Sequence, residues 1–75
     1  MHTKEMIMEA LGALHKEFPE TDSYGFSTYV VAKKIGRTDQ TTSKWCHVLV
    51  REGKIIRTWH KYMSRHFGVR LMEVN

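Results

Sequence analysis

The sequence predicts one α+β domain over residues 1–75, a three-helix bundle followed by a two-stranded antiparallel hairpin. Three observations predict it. Apolar residues recur at helical spacing in three stretches before Gly53. Those stretches are punctuated by Thr, Ser, Pro and Gly, the residues that start and stop helices. Beyond Lys54 the period changes, and β-branched and aromatic residues take over.

The first helix is expected to start at Thr3 as N-cap, with Glu5 in its first turn. Ile7, Ala10, Leu11, Leu14 and Phe18 form its apolar stripe. Pro19 ends it, because the residue before a proline is pushed out of the helical region. Glu20 to Gly25 reads as a polar connector, and Phe26 as an extended anchor too brief for a strand. Ser27 caps the second helix. Thr28, Val31, Ala32 and Ile35 share one side of it, and Gly36 takes the left-handed position past its end. Thr38 caps the third helix, with Asp39 in the first turn. Thr42, Trp45, Cys46 and Leu49 recur at i, i+3, i+4 and i+7 and make its core face, and Gly53 closes it. Two strands follow, at about 55–60 and 67–73, joined by a basic loop around Lys61 to His66.

The net charge is +4, but it is unevenly spread. Residues 1–25 carry two Lys/Arg against five Asp/Glu, a net of −3; residues 26–75 carry ten against three, a net of +7. Such a division predicts a basic working face for a polyanion on an acidic scaffold. No apolar run approaches the roughly 20 residues that a membrane span needs, and residues 1–9 lack a secretory leader's apolar core. One cysteine, Cys46, excludes an internal disulfide. A cytoplasmic, nucleoid-associated location is therefore expected.

From Ala32 to Ile55 the chain resembles the winged helix-turn-helix superfamily. The resemblance rests on Ala32, Gly36 and Thr38, then Thr42, Cys46 and Leu49, then Gly53 and Ile55. Thr42 and Cys46 are smaller or more polar than the apolar residues usual at those positions. The resemblance implies a small transcriptional regulator that binds double-stranded DNA. Its third helix would lie in the major groove, and its basic hairpin wing on the backbone or minor groove. The left-handed-duplex readers of that superfamily use Asn and Tyr where Ser43 and His47 stand here, with a proline-rich wing that this chain lacks.

With the core face fixed, the opposite face of the third helix follows at about 100° per residue. Gln40, Thr41, Ser43, Lys44 and His47 are the candidates for reading base edges. Gln pairs with adenine, Lys with guanine acceptors, and Ser or Thr with either. Lys33, Lys34, Arg37, Arg51, Lys54 and Arg57 are candidates for phosphate contact. His60, Lys61, Arg65, His66 and Arg70 are the wing candidates, and the apolar Tyr62, Met63 and Phe67 lie close by. Phe67 is expected to fold back onto the domain, and Trp45 and Trp59 to belong to the core or its edge. A solvated helix surface would also be polar opposite its core. The basic residues on either side of this one favour DNA.

No Cys-x-x-Cys or His-x-x-x-His pair occurs, and Cys46 and His47 are neighbours that point to different sides of a helix. No metal, cofactor or small-molecule ligand is expected, and Cys46 reads as a small buried hydrophobe. Phosphate loop, nucleophile elbow and paired carboxylates are lacking, so the chain is not expected to be an enzyme. Homodimerisation on two half-sites fits the small interface of one module. The alternative function is a winged-helix module that binds a protein partner without DNA.

Overall fold

The computed structural model describes residues 2–21, 25–58 and 67–72. It is an α+β arrangement of three helices and a three-stranded antiparallel sheet. Helix α1 spans Thr3–Glu17. Its cap is His2, one residue earlier than expected. His2 has extended backbone, and its Nδ1 accepts the Lys4 N–H at 3.2 Å. An imidazole nitrogen thus replaces the hydroxyl acceptor, and Thr3 becomes the first helical residue. Ile7, Ala10, Leu11 and Leu14 are buried as the stripe requires, and His15 joins them. Phe18 departs from the expectation and is 41% exposed. It lies past the last helical turn with φ −130°, so the helical period no longer aims its side chain. Pro19–Thr21 then forms a single 3₁₀ turn.

Strand β1, Phe26–Ser27, corrects the reading of Phe26 as a mere anchor. It pairs antiparallel with β3, Gly68–Leu71, with Phe26 opposite Val69 and Ser27 opposite Gly68. Strand β2, Ile55–Thr58, pairs along the other side of β3, from Ile55 opposite Leu71 to Thr58 opposite Gly68. The order is therefore β1-β3-β2, and the sheet has one strand more than a two-stranded wing. Residues 59, 60 and 73, expected as strand ends, lie outside the described residues, as does the loop at 61–66.

Helices α2, Thr28–Ile35, and α3, Asp39–Arg51, begin where their caps were expected. Ser27 Oγ accepts the Val30 N–H, and Thr38 Oγ1 accepts the Thr41 N–H, each at 3.2 Å. Gly36 has φ +70°, and Arg37 N–H returns to Ala32 O at 3.1 Å, closing α2. A β-carbon on Gly36 would meet nothing within 4 Å. Its requirement is therefore the positive φ and not a lack of room.

Ile7, Leu11, Leu14, Phe26, Val31, Cys46, Leu49, Ile55 and Val69 form one core between the helices and the sheet. Trp45 is half-buried at its edge. Among the described residues, no helix is long and apolar enough to cross a membrane. Thr42 lies wholly inside, and its Oγ1 has no hydrogen-bond partner among the described residues. An unpartnered buried hydroxyl costs about 1–3 kcal/mol of desolvation. Thr42→Val keeps the shape without that cost and is expected to stabilise the fold by about 1 kcal/mol. Urea denaturation checks this, and a lower midpoint would show that the hydroxyl is satisfied.

Candidate nucleic-acid interface

The core contacts of α3 settle what it presents outward. Thr42, Cys46 and Leu49 are buried, whereas Gln40, Lys44, His47 and Arg51 are exposed. These four recur at i, i+4, i+7 and i+11, so they form one stripe along the helix. Two of the five expected base readers sit off it. Ser43 is half-buried, and its hydroxyl donates to Thr28 Oγ1 on α2 at 3.3 Å. Thr41 is half-buried too, and its Oγ1 accepts from the Thr38 hydroxyl at 3.0 Å. Thr41 thus joins the N-terminal cap of α3, and Ser43 ties α3 to the first residue of α2.

The expected phosphate contacts divide into two groups. Lys34 turns toward α1, with Nζ 3.6 Å from Glu17. Arg37 reaches α1 as well, its guanidinium 3.8 Å from Met6 Sδ. Lys54 lines an open groove of about 500 Å³ shared with His2, Lys4, Glu5, Met8, Glu9 and Leu49. Lys4, in that groove, pairs with Glu52 at 2.9 Å. These cations therefore stand beside the acidic scaffold helix. Arg51 and Arg57, by contrast, form no ion pair among the described residues, and neither does Lys44, expected as a base reader.

Lys33 lies over the Tyr29 ring at 4.9 Å. The Tyr29 side chain, by its hydrogen bond and then its charge, raises the Lys33 pKa above the ordinary lysine value, and Asp39 adds a smaller push. Lys33 is thus a firm cation beside the α2–α3 turn. Lys44 Nζ stands 5.8 Å from the Trp45 ring centroid. Arg57 lies 4.7 Å above the Phe67 ring, and the His47 ring packs against the same ring at 4.4 Å. Phe67, half-buried, folds back onto the domain as expected. Arg70 is half-buried, and its Nη1 donates to Leu71 O at 3.2 Å. His60, Lys61, Arg65 and His66 lie outside the described residues, as do Trp59, Tyr62 and Met63.

One structural residue was missed. His15 is buried, its Nε2 accepts the Leu71 N–H at 3.2 Å, and its ring meets Phe26 edge-on at 5.1 Å. It ties α1 to the end of β3. Its position four residues after Leu11 and eight after Ile7 already puts it on the apolar stripe.

Cys46 is fully buried, and burial pushes its thiol from the ordinary 9.0 up to about 12. The stability carried by the neutral thiol is complete below pH 9.0 and is lost as pH rises toward about 12. Within that window the unfolded chain binds fewer protons than the folded one. Denaturation across it should show wild type losing up to about 1.4 kcal/mol per pH unit more than Cys46→Ala. Parallel loss in both proteins would contradict the burial argument.

No family model, curated protein or solved structure matches the chain.

Proposed function

We propose that the chain is a winged-helix protein that binds double-stranded DNA as a small transcriptional regulator. In this reading α2, the turn at Gly36 to Thr38, and α3 form a helix-turn-helix, and α3 enters the major groove. The observation that carries it is the outward stripe of α3. Gln40, Lys44, His47 and Arg51 are exposed, aligned and free of any carboxylate within the stripe. Arg57 extends it onto β2 with another cation unpaired among the described residues. A polyanion gains by neutralising such charges and releasing its counterions.

Within the stripe, Gln40 and Lys44 lie in the N-terminal half that approaches base edges, and Arg51 lies at the far end. Lys33 and Arg57 flank it as backbone contacts. Lys34, Arg37 and Lys54 contribute less, being turned toward α1. One module of this kind buries about 600–1,000 Å² on DNA, so a homodimer on two half-sites supplies specificity. The chain performs no catalysis in this reading.

Selection from a randomised duplex library tests it. Lys44→Ala is expected to relax the preference at one or two positions, whereas Arg51→Ala weakens all sequences alike. Equal, sequence-independent losses for both would remove base reading from α3. The second reading, a module for a protein partner, has the exposed Tyr29 and Val30 of α2 in its favour. It gains if no duplex binds at about 50 mM salt.

A further inference from the structure

Phe67 stands at a junction of three elements. Its carbonyl accepts the Thr28 N–H, the first of α2, at 3.1 Å. Its ring meets His47 of α3 at 4.4 Å with a 41° tilt. The same ring carries the Arg57 guanidinium of β2 at 4.7 Å. A residue anchored in this way is a fixed platform, not a wedge free to slip between bases. What it holds is an imidazole and a guanidinium, both exposed and each against the same ring, where the α3 stripe meets β2.

The geometry points to a backbone-phosphate site built by His47 and Arg57 on the Phe67 ring. This rests on the reading that α3 faces a duplex, and it changes the role of His47 from base reader to phosphate contact. Three physical reasons support it. Guanidinium is a planar fork that matches phosphate oxygens, and stacking on a ring fixes the fork's direction in advance. Arg57 has no carboxylate partner among the described residues, so its charge is available to an external anion. Both donors lie against one ring, 4.4 and 4.7 Å from its centroid, so a single side chain fixes where each can meet the phosphates of one strand. Phe67 is then a positioning residue: it touches no nucleotide and acts through Arg57 and His47.

Duplex binding by variants of the 75-residue chain, each measured over a range of salt, tests the assignment. Arg57→Gln is expected to weaken binding about tenfold at about 0.1 M salt and to lower the log–log slope by about one. Phe67→Leu, which keeps apolar bulk but removes the ring, is expected to do the same, and Phe67→Tyr to bind as wild type. The Phe67→Leu/Arg57→Gln double variant is expected to be no weaker than Arg57→Gln, since both changes remove one contact. Multiplying losses, or an unchanged slope in Phe67→Leu, would overturn the platform. If Phe67→Leu does not fold, the surface variant Arg57→Gln carries the test by the same slope criterion, and His47→Gln by its loss of affinity. Titration with inorganic tripolyphosphate, followed by NMR, separates this site from the duplex reading. Shifts centred on His47, Arg57 and Phe67 support the site even in a chain that binds no duplex. Shifts elsewhere, or none, overturn it even in a chain that does.

Discussion

Gly25→Ala is expected to destabilise the fold by about 3–5 kcal/mol. Gly25 has φ +74° and enters β1 directly. A β-carbon there would stand 2.3 Å from Val69 O and 2.7 Å from its carbonyl carbon. Those are backbone atoms of the central strand, and no rotamer change relieves the clash. The chain must either pull β1 off β3 or displace β3 itself. β3 carries Val69 in the core and the Leu71 N–H that His15 accepts. A domain of this size holds only about 4–11 kcal/mol of total stability, so the variant is expected to be largely or partly unfolded. Gly36→Ala is the control. It meets no atom, suffers only the left-handed backbone, and should cost about 1–2 kcal/mol. Thermal or urea unfolding of the two variants checks the contrast. Equal losses would mean that β1 does not pack against β3 as described.

Removing the three unpaired cations together gives the largest expected effect on function. Each cation held against the duplex, whether at a base edge as proposed for Lys44 or on the backbone as proposed for Arg51 and Arg57, contributes a slope of about 0.9, worth nearly tenfold in affinity at about 0.1 M salt. The Lys44→Gln/Arg51→Gln/Arg57→Gln variant is therefore expected to bind duplex DNA about 10²–10³-fold more weakly. Its salt slope should fall by about 2.7. Lys34→Gln removes the same charge from the neighbourhood of Glu17 and is expected to change affinity by no more than about twofold. Charge swaps at these exposed positions leave the core untouched, so circular dichroism and unfolding midpoints should be unchanged. A Lys34 effect as large as that of Lys44 would show that total charge, not its placement on α3, drives binding.

The parts of this molecule that were legible in its sequence are those fixed by local chemistry. Ser27 announces the start of α2, and Gly36 and Thr38 the turn between α2 and α3, because caps and left-handed residues act within three or four positions. The outward stripe of α3 followed from its core stripe for Gln40, Lys44 and His47. Ser43 sits off that stripe, half-buried, with its hydroxyl on Thr28 of another helix, which no helical period can reveal. The β1–β3 pairing was missed for a related reason. Two residues have no period, and the bonds that make them a strand come from residues about forty positions away. Lys34 and Lys54 look equivalent to Lys44 in a charge count. Only the packing of α1 separates them, by bringing Glu17 to one and placing Glu5 and Glu9 along the groove beside the other.

The central claim is that this exposed basic stripe meets nucleic-acid phosphate. A titration of the wild-type chain with random-sequence duplex, repeated from about 50 to 200 mM salt, tests it most directly. Contacts from Lys33, Lys44, Arg51 and Arg57 predict measurable binding at the low end and a log–log slope of about −3 to −4. Absence of binding at about 50 mM salt, or an affinity indifferent to salt, would contradict the account.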